Sequence, residues 1–304
     1  MPPVLHTTAG PLAAAALGLI LPHEHVFVEF RPPETPGHAE ADAGDVLRLM
    51  LPELARARAA GVTALIDCTP VGVGRRPDLL IAASAASGLP IGIPTGIYRE
   101  PWVPRWALEA DADALEAWMR GELERGIGKT GIRAAFIKLS ATDDGMTEQE
   151  AKILRAAARA AAHSGATIGS HTIRASVLDA QLDSVEASGY TAERFIWIHA
   201  SADDLATNIA AARRGAWIEY DWIGGQPDAM LIERVLRMLD AGFGHRLLLS
   251  HDRGWYDPAL PGGGEPKSYT YLTEHFLPRL AAAGVDAATI AQLTVANPFA
   301  AYAR

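Results

Sequence analysis

Short apolar segments alternate with amphipathic segments along almost the whole 304-residue chain, and this alternation is the feature that most constrains the fold. Each apolar segment has the length of one strand, and segments with helical spacing separate them. The predicted strands are 18–26, 62–67, 89–96, 134–139, 166–170, 195–198, 216–219 and 246–250. Continuous apolar strands that alternate with helices are typical of a parallel sheet buried on both faces. Eight such units predict an α/β fold, a (β/α)₈ TIM barrel.

The segments between these strands carry helix start and stop signals. Predicted helices span about 44–60, 77–87 and 112–124, and Thr147 with Glu150 forms a capping box for a further long helix. An open doubly wound sheet is the alternative, but no G-x-G-x-x-G motif follows the first strand. No Ser/Gly linker or low-complexity tract interrupts the chain, so we predict one domain over residues 1–304.

Charge and composition restrict the partners of the chain. It has 27 Lys and Arg against 36 Asp and Glu, a net charge of -9, which argues against a nucleic acid or an anionic membrane as partner. The chain contains no run of about 18 apolar residues, so we predict no membrane span. Residues 11–21 resemble the core of a signal peptide, but no Lys or Arg precedes them. With Cys68 as the single cysteine, no intrachain disulfide can form, and a cytoplasmic location is expected.

An H-x-H pair lies at the end of the first strand. In an extended strand, side chains two residues apart point to the same face, so His23 and His25 project together and Glu24 points the other way. Two imidazoles held side by side on a stiff strand make half of a metal site. The alternative is two ordinary histidines near a strand end.

Further candidate ligands occur singly near the ends of later strands. His171 follows strand five, His199 follows strand six and Asp252 follows strand eight. Lys138 lies between two apolar residues near the end of strand four, where a bare ammonium is costly unless it reaches solvent or is paired. A lysine that has reacted with CO₂ instead carries a carbamate, which can bridge two cations. Because barrel enzymes keep their chemistry at the C-terminal ends of the strands, we expect these residues to meet there.

These residues and their neighbours resemble the phosphotriesterase family of the amidohydrolase superfamily from about Gly10 to Tyr302. The matching motifs are Leu21-Pro22-His23-Glu24-His25, Phe136-Ile137-Lys138, Ser170-His171-Thr172, Ile198-His199, Leu249-Ser250-His251-Asp252 and Val295-Ala296-Asn297-Pro298. Any one motif is weak, but the set in this order is specific.

The resemblance implies a binuclear metal centre. Three residues would hold the more buried ion: His23, His25 and Asp252. Two would hold the more exposed ion: His171 and His199. Carbamylated Lys138 would bridge both, with a hydroxide as the second bridge that attacks a carbonyl or phosphorus centre. Asp252 would accept or relay the proton, and Zn²⁺ suits these ligands, although Co²⁺ or Mn²⁺ would also fit.

The resemblance favours a small-molecule lactone as substrate, with promiscuous phosphotriesterase activity. Tyr98 resembles the tyrosine that lactonases of the family place over the site, and with Asp252 and Lys138 it completes the expected catalytic set. One residue departs from the lactonase pattern. Trp222 follows Asp221 where an arginine is common, which suggests a more apolar pocket and argues against acyl-homoserine lactones.

The segment after strand eight supplies the other candidate pocket residues. Arg253 and Lys267 either bind the phosphate of a phosphorylated sugar lactone or are simply solvated. Trp255 and Tyr256 form either pocket wall or loop packing. An organophosphate hydrolase, an amidase or deaminase, and a catalytically idle binding barrel are the alternative functions. A homodimer is expected from the resemblance alone.

Overall fold

Eight parallel strands form the inner wall of a barrel in the computed structural model, which describes residues 2–304. A short antiparallel hairpin precedes the wall and consists of β1 (Leu5–Thr7) and β2 (Gly10–Leu12). The wall strands are β3 (Leu19–Phe27), β4 (Val62–Asp67), β5 (Ile91–Gly92), β6 (Ile137–Ser140), β7 (Ile168–His171), β8 (Phe195–Ile198), β9 (Trp217–Tyr220) and β10 (Leu247–Leu249). A further strand, β11 (Gly254–Tyr256), pairs in parallel with the end of β3. The predicted α/β barrel is confirmed.

Helices cover the outside of the wall between successive strands. They are α1 (Ala43–Ala59), α2 (Pro77–Ser87), α3 (Arg105–Glu109), α4 (Ala112–Glu124), α5 (Glu148–Ser164), α6 (Ala175–Ala187), α7 (Leu205–Arg214), α8 (Asp228–Asp240), α9 (Leu277–Ala282), α10 (Ala287–Ala291) and α11 (Asn297–Tyr302). Two π-helical turns, Leu272–Phe276 and Gln292–Ala296, lead into α9 and α11. Among residues 2–304, no helix combines the length and the apolar character needed to cross a bilayer.

Backbone hydrogen bonds connect neighbouring strands around all eight members of the wall, and they are irregular at two junctions. At the junction of β5 and β6, Thr95 N–H donates to Phe136 O (2.9 Å) and Lys138 N–H donates to Thr95 O (2.8 Å). At the junction of β10 and β3, Asp252 N–H donates to His23 O (3.2 Å). Both junctions therefore bring candidate site residues into the wall.

Apolar side chains fill the barrel interior and the layer between wall and helices. The interior cluster includes Leu5 from the hairpin together with Phe136 and Tyr302. The ring centroids of Phe136 and Tyr302 lie 4.9 Å apart. The Tyr302 hydroxyl donates to Pro22 O at 2.9 Å, directly before the H-x-H pair. Leu5 thus packs within the interior cluster, and Tyr302 at the end of α11 supports the backbone just before the H-x-H pair.

Several predicted elements are confirmed to the residue, and others are corrected. The strand 62–67, the helices 77–87 and 112–124, and the capping box of Thr147 and Glu150 are as predicted. The predicted strand 89–96 shrinks to two residues, because the two prolines Pro90 and Pro94 have no N–H to donate to a ladder. The hairpin β1–β2 and the strand β11 were not predicted. The single-domain assignment stays a prediction.

The histidine of the β1–β2 hairpin predicts an acid-sensitive component of stability. Burial and the charges of Arg304 and Arg133 lower the pKa of His6 to about 4. Its unfolded pKa is about 6.5, so the unfolded chain binds more protons between these values and stability falls as pH drops from 6.5 to 4. Since His6 is only half-buried, screening leaves an effect on the order of 1 kcal/mol. Urea unfolding of His6→Gln should show a flatter pH dependence in this window, and an unchanged slope would contradict the prediction.

Candidate metal centre

The H-x-H pair faces the barrel axis from the end of β3. His23 and His25 are both buried, and their ring centroids lie 5.3 Å apart. Glu24 between them points the other way, as predicted, into a fully buried environment. Because successive side chains along a strand point to opposite faces, the two candidate ligands lie on one face and the Glu24 carboxylate lies on the other.

The other sequence-predicted ligands converge on the same cavity. His171 ends β7, His199 follows β8 directly, and Asp252 lies three residues after β10. His199 and Asp252 have φ angles of 67° and 57°, in the left-handed region that residues other than glycine rarely adopt. Together with Lys138 and the H-x-H pair, these residues line one cavity of about 260 Å³.

Each of the four imidazoles is held through its Nδ1 atom. His23 Nδ1 lies 3.0 Å from both Glu219 Oε2 and Asp221 Oδ2. The other three contacts are His25 Nδ1 to Thr69 Oγ1 (2.7 Å), His171 Nδ1 to the Tyr98 hydroxyl (3.3 Å) and His199 Nδ1 to Asp221 Oδ1 (2.9 Å). A partner at one ring nitrogen fixes the tautomer and leaves the other nitrogen to bind a metal.

The Nε2 atoms of these rings, together with Asp252, form the donor set expected of a metal site. Nε2 of His25 and of His23 lie 3.0 and 3.6 Å from Asp252 Oδ1. These three residues place one ligand atom each within 4.8 Å of one another and could hold a metal ion. Nε2 of His171 is buried and has no hydrogen-bond partner in the described chain. Imidazole and carboxylate donors of this kind fit a divalent transition metal.

Lys138 is buried in the wall of the same cavity. Its residue is 2% exposed, and in residues 2–304 its ammonium forms no ion pair within 4.0 Å. Burial and this neighbouring charge lower the pKa of His23 to about 3, and they also hold the pKa of His171 well below its usual range. A buried, unpaired ammonium beside imidazoles is unfavourable, whereas a carbamate on the same stem would supply a metal-binding anion.

Two carboxylates below the imidazoles were not recognised as site residues from the sequence. Glu219 and Asp221 are fully buried on β9 and directly after it, and both contact His23 Nδ1. Burial and the charge of Asp221 raise the pKa of Glu219 well above its usual range. The available signal was their i, i+2 spacing within an apolar strand, which turns both carboxylates toward the same side.

Glu24 secures the loop that carries Asp252. Its Oε1 accepts hydrogen bonds from Ser250 Oγ (2.8 Å), His251 N–H (3.1 Å) and His251 Nδ1 (2.6 Å). Its Oε2 accepts from Arg253 N–H at 2.9 Å. The carboxylate therefore holds the backbone on both sides of Asp252 in its left-handed conformation.

Three aromatic residues predicted for the pocket reach the cavity. Trp222 stacks on His199 with centroids 5.0 Å apart, and the ring of Trp255 meets His25 edge-on at 5.8 Å. Tyr98 is 8% exposed, and burial raises its pKa to about 12. The hydroxyl of Tyr98 thus stays protonated at neutral pH and can donate a hydrogen bond to a substrate oxygen.

Tyr256 does not reach the cavity. The residues that line the cavity include Trp255 of β11 but not Tyr256. Tyr256 is stacked on Phe27 instead, with centroids 5.7 Å apart. Of the two readings left open by the sequence, loop packing describes Tyr256 and pocket wall describes Trp255.

The two candidate cations lie beside the cavity rather than in it. Arg253 donates to Gly224 O and covers the ring of Tyr271 at 5.7 Å. Lys267 lies over Trp255, with its Nζ 4.3 Å from the ring centroid. Both line an adjoining depression that shares Trp222, Asp252 and Trp255 with the main cavity.

Comparison with known proteins identifies the family. The profile of the "Phosphotriesterase family" matches residues 3–302. The chain belongs to the phosphotriesterase family. The phosphotriesterase homology protein of Mycobacterium tuberculosis is 29% identical, over 97% of this chain and 96% of that protein. The aryldialkylphosphatase of Saccharolobus solfataricus is 27% identical, over 93% and 94%.

A solved structure of the same family agrees in fold. A variant of the PTE-like lactonase of Deinococcus radiodurans superposes with a TM-score of 0.87 at 30% identity, covering 98% of this chain and 99% of that one. This phosphotriesterase-family chain is thus a hydrolase of small molecules, and its cavity contains groups that could hold a metal ion.

Proposed function

We propose that this protein is a metal-dependent lactonase with a binuclear centre and promiscuous phosphotriesterase activity. The observation that carries the proposal is the convergence of four imidazoles, Asp252 and Lys138 on one cavity, with each imidazole held at Nδ1. His23, His25 and Asp252 would hold one ion, most simply Zn²⁺, and His171 and His199 the second. A carbamate on Lys138 would join the two positions.

The chain's own residues divide the remaining work. Two bound divalent cations would supply a hydroxide nucleophile at neutral pH and polarise the carbonyl or phosphoryl oxygen of the substrate. Asp252 would accept the proton released on attack, since it lies against His23 and His25 at the mouth of the site. Tyr98 would orient the substrate through its protonated hydroxyl, and Trp222 and Trp255 would exclude water from one side.

The shape and lining of the cavity favour a neutral lactone or ester. Besides the candidate ligands, its wall includes Val28, Phe30, Val73 and two tryptophans. Trp222 occupies the position after Asp221 and stacks on an imidazole, so it leaves that wall without a cation. The lactonase from Deinococcus radiodurans supports the lactone assignment by likeness.

Two alternatives within hydrolases have observations in their favour. The aryldialkylphosphatase likeness supports phosphate triesters as the main substrates. The adjoining depression with Arg253 and Lys267 supports a lactone that carries a phosphate. A homodimer and a cytoplasmic location belong to the proposal as expected from the family resemblance and the single cysteine.

A matched substrate panel tests the assignment. The zinc-loaded protein is assayed with neutral lactones of increasing ring substituent, a phosphorylated lactone, aryl phosphotriesters and an acyl amide, and kcat/KM is compared. The proposal expects neutral lactones to react fastest. Phosphotriesters or the amide as the fastest substrates would overturn it, and a preference for the phosphorylated lactone would move the substrate to the cationic depression.

Tyr98 provides a prediction that separates the two chemistries. Tyr98→Phe removes one hydrogen bond to the substrate and keeps the aromatic wall, so kcat/KM for lactones should fall by about tenfold, as a lost hydrogen bond of 1–1.5 kcal/mol predicts. Phosphotriester hydrolysis should change less. Equal effects on both substrates would remove the orienting role of Tyr98. Tyr190→Phe is the control, because the half-buried Tyr190 donates its hydroxyl to Ala166 O and is not among the residues that line the cavity.

A further inference from the structure

We propose that Asp221 couples the two metal positions, because its single carboxylate holds one imidazole from each of them. The inference rests on the proposed binuclear centre and adds a positioning residue to it. His23 belongs to the proposed first position and His199 to the second. Occupation of either position would therefore set the ligand of the other through one shared carboxylate.

The hydrogen bonds of Asp221 define this coupling. Its Oδ1 accepts from His199 Nδ1 at 2.9 Å. Its Oδ2 lies 3.0 Å from His23 Nδ1, which is equally close to Glu219 Oε2. The same Oδ2 accepts from the His199 backbone N–H at 3.1 Å. Since an ionised carboxylate only accepts, His199 presents Nδ1–H to Asp221, and His23 presents Nδ1–H to Asp221 and Glu219 together. Both rings then turn an unprotonated Nε2 toward the cavity.

Asp221 also stabilises the strained backbone at His199. The φ of His199 is 67°, a conformation that costs free energy for a residue with a side chain. Asp221 binds both the ring and the backbone N–H of His199, so it defines the direction of the side chain as well as its tautomer. The carboxylate is fully buried, which strengthens these bonds relative to water.

The other two imidazoles lack such a shared partner. His25 is held by Thr69, whose hydroxyl donates onward to Phe27 O at 3.1 Å and therefore accepts from His25 Nδ1. His171 is held by Tyr98. Thr69 thus serves one proposed position only, and it offers a matched control for Asp221.

The test measures stepwise Zn²⁺ affinities of metal-free protein by competition with a chromophoric chelator, so no substrate is involved. Loss of a partner that orients a ligand typically costs about 10–100-fold in metal affinity. Asp221→Ala should weaken both zinc ions by such a factor, and Thr69→Val should weaken only one. Thermal unfolding of the metal-free variants reports whether either substitution disturbs the fold itself.

Asp221→Asn gives a sharper result because it keeps the volume of the side chain. The amide oxygen must face the His199 backbone N–H, since an amide nitrogen there would oppose donor to donor. The amide NH₂ then donates to His199 Nδ1 and moves the ring proton to Nε2. This variant should lose the zinc ion of the second position and retain the ion of the first.

The outcomes separate the coupling from the proposed function. A wild-type chain that binds two zinc ions, with Asp221→Ala weakening only one of them, overturns the coupling and leaves the binuclear centre standing. A wild-type chain that binds fewer than two zinc ions overturns both. Weaker binding of both ions in Asp221→Ala, with weaker binding of one ion in Thr69→Val and loss of only the second-position ion in Asp221→Asn, supports the proposal.

Discussion

Lys138→Ala is expected to abolish most metal binding and nearly all hydrolysis. Under the proposed function, Lys138 carries the carbamate that joins the two metal positions, and alanine offers no ligand in its place. Metal catalysis contributes several kcal/mol to such reactions, so the rate should fall on the order of 1,000-fold. Metal content by mass spectrometry and kcat/KM on the best lactone measure the two effects.

Chemical rescue distinguishes a missing bridge from a damaged fold. A short carboxylic acid or high bicarbonate should restore part of the metal content and activity of Lys138→Ala by filling the vacated space. Lys129→Ala removes an exposed lysine after α4 and should behave as wild type. A Lys138→Ala protein with two metal ions and full activity would refute the bridging carbamate.

Glu24→Ala is expected to weaken metal binding although Glu24 touches none of the proposed ions. The substitution removes the acceptor of donors on Ser250, His251 and Arg253. Each of the buried donors on Ser250 and His251 would then cost about 1–3 kcal/mol. The loop would then release Asp252 from its left-handed conformation. Metal affinity should fall by about 10–100-fold, together with a loss of thermal stability.

A second buried carboxylate separates positioning from stability. Glu122 is 6% exposed and pairs with Arg75 at 2.6 Å, away from the cavity lining. Glu122→Ala should also lower the melting temperature, but metal affinity should stay at its wild-type value. If Glu24→Ala loses only stability, as Glu122→Ala does, then Glu24 is a structural residue and not a positioning one.

The apolar periodicity was sufficient to predict the barrel and the end of the barrel where candidate ligands gather. His23, His25, His171, His199 and Asp252 each follow or end an apolar strand, and parallel strands deliver their C-terminal ends to one rim. The structure brings these residues into one cavity, as that argument requires. Their role as metal ligands stays a prediction.

Features that depend on contacts between distant segments could not be predicted from the sequence. β11 can pair closely with β3 because residue 254 is a glycine, and a Cβ there would clash with His25 O. The sequence analysis used Asp221 only to locate Trp222, the residue that follows it. Its contacts with two imidazoles depend on how the strands lie across the barrel from one another. Three-residue strands such as β1 and β2 are too short to show a period.

The most direct test of the binuclear centre is the number of metal ions required for full activity. Metal-free protein is titrated with Zn²⁺, and in parallel with Co²⁺ and Mn²⁺, while lactone hydrolysis and bound metal per chain are followed together. The proposed function predicts that activity rises until two ions are bound per chain and disappears again on chelation. Full activity in protein with one ion per chain or fewer would contradict it.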